Sequence, residues 1–438
     1  MKYWNSGFHL TNPQRYSEFC GLWRSPVGVR FASLETPKVT ILMYVVCVDC
    51  FDDKKKDNKT RGQGSSIKAR DISEGHGYLS KVYKCDFSFV PKDPDLDPLE
   101  TPAFSVVLKE PGMQSIEGTM DSLSVDKETA KSTMEAVDNW ITTMHHNEST
   151  VYRKFSSEDF PIPKFYGSGE RISKNQAGYL IIEFLENAYF PELHEGLNTN
   201  QTMNLVDFVM DIQTAAIKSG DWWKKELTFM NFGDDQDPNF ASTMLQKLCC
   251  GKSQKFIKLI KIYEKLLIDK DVCINASGKE YSNLGLPELF IHGDMWTNNI
   301  SFKMDPSTQK PTDEIRAVVD WQVASAANPF LDISRILTMC CSPELRRTFE
   351  TNIVEYYMTG LEKRLKPKKL PFSKMEIKKS KNFADVSNLV FLMFMCVFHY
   401  KDEDPETKKK QNIVVERLEN LMEDLLPMMK TDFPHFLN

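Results

Sequence analysis

Phe290-Ile291-His292-Gly293-Asp294-Met295-Trp296-Thr297-Asn298-Asn299-Ile300 is the most chemically loaded segment of the chain. A short apolar strand ends, polar residues crowd a loop, and apolar residues resume at Ile300. Asp294 and Asn299 stand five residues apart. A carboxylate can accept the proton of an attacking hydroxyl, and a neutral amide oxygen can hold a metal ion beside it. His292, two residues before the carboxylate, reads as an anchor that holds the loop through hydrogen bonds.

Downstream, Arg316-Ala317-Val318-Val319-Asp320-Trp321-Gln322 places a second carboxylate at the end of an apolar strand. Upstream, Ser73-Glu74-Gly75-His76-Gly77-Tyr78-Leu79-Ser80-Lys81-Val82 fits G-x-G-x-x-G-x-V, with Gly75, Gly77 and Ser80 at the small positions. Small residues there let backbone amides approach phosphates. Val106-Val107-Leu108-Lys109 ends an apolar strand in a cation. On a helix expected from Met134 to Phe155, one apolar face takes Val137, Ile141, Met144, Val151 and Phe155, and Glu148 falls on that same face. A carboxylate in an apolar stripe is costly unless paired, and Lys109 is its natural partner.

The order of these pieces carries more than any one of them. Glycine-rich hairpin, strand lysine, helix glutamate, H-x-D-x-x-x-x-N loop and strand-end aspartate follow the kinase sequence of parts, with Asp320-Trp321-Gln322 where a protein kinase has Asp-Phe-Gly. His292-Gly293-Asp294-Met295-Trp296-Thr297-Asn298-Asn299 with Val319-Asp320-Trp321-Gln322 resembles the CHK kinase-like group. That group includes the ecdysteroid-kinase-like proteins and is related to choline kinases and aminoglycoside phosphotransferases. The resemblance runs from about Ile67 to the carboxy terminus. It implies an α+β, two-lobed protein-kinase-like fold: an N-lobe over residues 67–186, a helical C-lobe over 187–438, and an extension over 1–66. It also implies ATP- and Mg2+-dependent phosphorylation of a small-molecule hydroxyl. Asp294 would be the catalytic base, and Asn299 and Asp320 the metal ligands. Gly75, Gly77, Ser80, Lys109 and Glu148 would serve the phosphates, and backbone groups of Glu183 and Leu185 the adenine.

Two departures from protein kinases narrow the acceptor. Gly293 stands where H-R-D has arginine, the residue that meets a phosphorylated activation loop. The chain also reaches Asn328-Pro329-Phe330-Leu331-Asp332 within a dozen residues of Asp320, which leaves little room for a peptide platform. Asp332 either caps the helix that begins there or braces the 292–299 loop.

The bulk properties agree with an ordinary globular protein. Of 438 residues, 41% are hydrophobic and 26% charged, with a formal net charge of -6, so no global attraction to nucleic acid or anionic membrane is expected. Ten cysteines, two pairs of them adjacent, read as buried free thiols of a cytoplasmic protein, and Cys47-Val-Asp-Cys50 has no second pair at zinc-site distance. The apolar runs at Val39–Cys47 and Leu389–Phe398 are too short to span a bilayer. A short strand is expected at Val39–Val48, and further strands at Ser80–Phe89, Phe104–Leu108, Tyr179–Phe184, Leu289–Ile291 and Ile315–Val319. Helices are expected at Thr202–Ser219, Ala241–Asp269, Glu344–Arg364, Asn382–Tyr400 and Asn412–Met429.

Two other readings compete with a small-molecule kinase. One is an idle nucleotide- or ligand-binding protein, against which every expected catalytic position is filled. The other is a choline or ethanolamine kinase, which needs an acidic or aromatic cage for a cationic head group. The stripe Phe391, Phe394, Phe398 reads first as helix packing.

Overall fold

A computed structural model describes residues 66–73, 80–88, 104–112, 127–171, 178–230, 238–399 and 404–438. Residues 1–65, the expected strand at Val39–Val48, Cys47, Cys50, Gly75, Gly77 and the side chains of Val137 and Phe398 lie outside them. The chain divides into two compact units, one with 82–108 and the residues up to Ser73, the other with Glu74–Lys81 and Lys109–Asn438.

The first unit is built on strands. β1 (Ser66–Asp71) pairs antiparallel with β2 (Ser80–Ser88), setting Ile67 opposite Phe87 and Ala69 opposite Cys85. β2 neighbours β3 (Phe104–Pro111). Alternation does the work of a half-buried sheet: Ile67, Cys85, Phe87, Val106 and Leu108 are buried while Lys68 and Arg70 face solvent. β3 leaves this unit at Leu108, so Lys109 belongs to the second.

The second unit opens with α1 (Lys127–Phe155), longer at its start than the spacing predicts. β4 (Phe165–Gly169) and β5 (Tyr179–Glu183) form an antiparallel pair. β6 (Ala188–Tyr189) later joins a three-stranded sheet, and α2 (Thr199–Ser219) starts at an Asn198–Gln201 capping box. The expected helix Ala241–Asp269 is broken into α3 (Pro238–Cys249), α4 (Gln254–Tyr263) and a last turn, Lys265–Ile268. Gly251 at φ +68° ends the first piece, and the Ser253 side chain caps the second by accepting from the Phe256 amide.

Two short strand pairings then carry the chemistry. β7 (Leu289–Ile291) leads into the 292–299 loop, and β8 (Ile300–Met304) leaves it. β9 (Pro311–Val318) pairs antiparallel with β8, and β10 (Ser325–Ala327) returns antiparallel to β7. Beyond them lie α5 (Leu331–Arg335), α6 (Pro343–Glu350), α7 (Ile353–Leu365), α8 (Lys374–Phe398) and α9 (Pro405–Asp432). The expected single helix Glu344–Arg364 is two, divided at Asn352, whose ψ of 0° leaves the helix. α8 begins eight residues before the expected start, because Ser373 and Glu376 form a capping box that starts the helix there.

An aromatic core sits under β7. Trp321 is fully buried, with ring centroids 6.1 Å from Phe290, 6.2 Å from Phe155 and 6.3 Å from Phe208. It therefore joins α1, α2 and β7 at one point. Among the described residues Cys85, Cys273, Cys340, Cys341 and Cys396 are buried free thiols, and burial pushes Cys340 up to about 12. No described helix is long and apolar enough to cross a membrane. Antiparallel strands followed by a mostly helical region, with the glutamate helix between them, make this a protein-kinase-like α+β fold.

Candidate active site

Register explains how distant residues meet. Ile300 lies opposite Val318 across β8 and β9, and the Val319 amide donates to the Asn299 carbonyl at 2.9 Å. The ends of the two strands are thus level, and they bring Asn299 and Asp320 to one edge. Asp320 itself takes φ +67°, a left-handed turn that Asp tolerates better than most residues. All the groups described below belong to the second unit.

The loop is held from behind. Asp332 accepts from the His292 amide at 2.7 Å and the Gly293 amide at 2.8 Å, so it braces the loop; this decides between the two roles that the sequence leaves open. Burial pushes its carboxyl up to about 6 against those two donors. His292 Nδ1 accepts from the Asp294 amide at 3.1 Å, which leaves the proton on Nε2 to be donated to the Val319 carbonyl at 3.0 Å. The ring is a neutral anchor, and burial pulls it down to about 4. Gly293 sits at φ +85°, and a Cβ there would lie 2.7 Å from the Val323 carbonyl oxygen. Only glycine fits.

Asp294 is engaged on both oxygens. Oδ1 accepts from Arg335 Nη1 at 2.9 Å. Oδ2 accepts from Trp296 Nε1 at 3.1 Å and from Asn299 Nδ2 at 2.9 Å. Burial raises its carboxyl above the usual range while the Arg335 guanidinium works the other way. Asn299 Nδ2 also donates to the Asp294 carbonyl at 2.8 Å. Two acceptors on one nitrogen fix the amide's orientation and turn its oxygen away from Asp294.

Lys109 meets Glu148 at 2.9 Å, and both side chains are largely buried. The same ammonium contacts the Asp320 carboxylate. Glu148 also accepts from the Trp321 amide, and burial pushes its carboxyl up to about 7 against the pull of Lys109. The apolar face that brings Glu148 inward is as expected: Ile141, Met144, Val151 and Phe155 are all buried.

The other predicted positions are spread around this centre. Ser80 begins β2, while Gly75 and Gly77 lie outside the described residues. The Glu183 amide is already taken by the Lys164 carbonyl at 2.9 Å, and its carboxylate pairs with Arg316 at 2.7 Å. Among the described residues no three His, Cys, Asp or Glu side chains converge as a ready-made metal site.

Sequence reasoning missed Arg335. A signal was present: it stands one turn after Asp332, so a helix that braces the loop with Asp332 also turns Arg335 toward it.

A family model described as DUF1679, "Uncharacterized oxidoreductase dhs-27", matches residues 53–432. The Caenorhabditis elegans protein of that name is 23% identical over 224 residues, which cover 50% of this chain. The match spans only 27% of that relative's length, so its name describes a protein that is mostly unmatched here. A second Caenorhabditis elegans protein, "Uncharacterized kinase-like protein D1044.1", is 24% identical over 291 residues, 65% of this chain and 73% of its own. A choline kinase structure from Cryptosporidium parvum aligns over 90% of this chain and 99% of its own, at 10% identity and a TM-score of 0.45. With its model matched across residues 53–432, the chain belongs to the DUF1679 family, the CHK kinase-like group that its loop motifs resemble.

Proposed function

We propose that this protein transfers a phosphoryl group from Mg·ATP to a hydroxyl of a small molecule. One observation carries the reading. Lys109, Glu148, Asp294, Asn299 and Asp320 come from four separate elements, a strand, a helix, the 292–299 loop and a strand end, and their convergence supports phosphoryl transfer.

The residues fit a nucleotide-bound magnesium. Its ligands are hard oxygens, usually one or two from protein carboxylates, with phosphates and waters filling the rest. Asp320 offers one carboxylate and Asn299 one amide oxygen, a pair that the phosphates and waters of an incoming Mg·ATP would complete. Bound Mg·ATP would supply the phosphoryl group and neutralise its developing charge. Lys109, steadied by Glu148, binds phosphate oxygens. Asp294 accepts the hydroxyl proton, and its burial strengthens it as a base. Backbone amides near Gly75, Gly77 and Ser80 approach the phosphates, and the Glu183 carbonyl and Leu185 amide meet adenine.

A small acceptor is favoured by the segment after Asp320. β10 pairs with β7 from Ser325, and α5 starts at Leu331. That stretch is spent on structure and leaves no long peptide-binding segment. The buried free thiols fit a reducing, cytoplasmic compartment.

The test is Asp294→Asn, assayed with labelled ATP against hydroxylated steroids, choline and xenobiotic glycosides. ATP binding should survive, and transfer should fall on the order of 10²–10⁴-fold, as for loss of a general base. Near-normal turnover in the variant would remove Asp294 from the reaction.

A further inference from the structure

Arg335 is not explained by the roles above. It is 6% exposed, and a buried guanidinium is costly unless its charge and its N–H groups are met. They are met by design of the neighbouring helix. Arg335 Nε donates to Asn388 Oδ1 at 2.7 Å, and the guanidinium carbon lies 3.7 Å from the centre of the Phe391 ring. Asn388 and Phe391 are one turn apart on α8. Asn388 is fully buried and is itself fixed by donating to the Leu331 carbonyl at 3.1 Å. The arginine is thereby aimed before it reaches its carboxylate.

Its choice of carboxylate is informative. Asp332 lies on the same helix one turn earlier, yet both of its oxygens are given to the loop amides. Arg335 reaches instead to Asp294 Oδ1 at 2.9 Å. Four carboxylates and two cations gather here, and they are divided cleanly: Lys109 serves Glu148 and Asp320, while Arg335 serves Asp294. Without Arg335, Oδ1 of Asp294 would lose its charged partner, and the carboxylate would be oriented only by Trp296 and Asn299 on Oδ2.

We propose that Arg335 is a positioning residue for Asp294, fixing the carboxylate's orientation toward the acceptor hydroxyl through a salt bridge braced by Asn388 and Phe391. The role rests on the phosphotransfer reading. Arg335 touches neither nucleotide nor acceptor in this scheme. It acts through Asp294 alone, and that makes it separable from a structural arginine.

The acceptor is unidentified, so the probe is Mg·ATP hydrolysis to water by the full chain. Arg335→Gln should lower kcat on the order of 10–100-fold and leave KM for Mg·ATP within about twofold, the pattern of an interaction used only in turnover. Arg335→Lys, which keeps the charge, should recover part of the loss. In an Asp294→Asn background, Arg335→Gln should cost nothing further, since no carboxylate remains to be positioned. An equal loss in that background, or a raised KM with unchanged kcat, overturns the proposal. If Arg335→Gln does not melt cooperatively, Phe391→Leu replaces it; a several-fold fall in kcat, erased by Asp294→Asn, is expected, and an unchanged kcat overturns the role. Wild-type protein that hydrolyses Mg·ATP while Arg335→Gln keeps full kcat overturns this role only. Wild-type protein that neither binds nor hydrolyses Mg·ATP overturns the phosphotransfer reading and this role with it.

Discussion

His292 shows what a single buried ring commits the protein to. Its hydrogen bonds require a neutral imidazole, and burial pulls it down to about 4 from an ordinary 6.5. In the unfolded chain the ring takes a proton near pH 6.5; in the folded chain it does so only near pH 4. Folding stability from this residue is therefore present above pH 6.5 and lost as pH falls toward 4. Asp332 works in the opposite sense: its carboxyl is pushed up to about 6, so its contribution is lost as pH rises through that value. A comparison with His292→Gln isolates the ring. Between pH 7 and pH 4.5 the wild type should lose about 2 kcal/mol more than the variant, at ~1.36 kcal/mol per pH unit. Denaturant titrations at the two pH values measure this, and parallel acid slopes would mean that the ring is not the source. Asp294, Asn299, Asp320 and Lys109 were legible because they sit on one loop or at strand ends, and Glu148 because it interrupts the apolar face of its helix. Arg335 was not, because its one signal was its place a turn after Asp332, and the bracing role of Asp332 was itself left open by the sequence.

The Lys109–Glu148 ion pair joins a strand residue to a helix residue, and it is a test of both. Glu148→Gln should weaken ATP affinity because Lys109 loses its anchor. Lys109→Met should weaken it directly. The double variant should cost less than the sum, with an interaction energy of about 0.5–3 kcal/mol for groups in contact. Strict additivity in calorimetric ATP titrations would show that the two side chains do not act as a pair in nucleotide binding. At this scale apolar periodicity located α1, α2 and the longer carboxy-terminal helices, but it ran across real breaks. Gly251 and Asn352 interrupt helices whose apolar residues recur at helical spacing on both sides. Strands as short as β6, β8 and β10 carry too few residues for alternation to register; they exist because tertiary pairing holds them.

For the molecule as a whole, a ligand that binds only the folded state stabilises it by mass action, about 2.7 kcal/mol at a hundredfold excess over Kd. ATP with Mg2+ should therefore raise Tm by a few degrees, and ATP without metal by less. Asp320→Ala should erase the difference between the two; a difference that persists would place the metal elsewhere. Fold class was readable from the order of motifs, because that order survives insertions and short strands. The backbone contact at Gly293 was not, since spacing alone says nothing of what lies 2.7 Å from a missing Cβ. That contact has an evolutionary consequence. Converting His292-Gly293-Asp294 to His-Arg-Asp takes one codon, but any side chain at Gly293 collides with the Val323 carbonyl and must also adopt a positive φ. Residues 320–323 would have to move first, and they carry the proposed metal ligand. An arginine that docks a regulatory phosphate is thus reachable only by coordinated change in two loops, and every single-step intermediate passes through a damaged site.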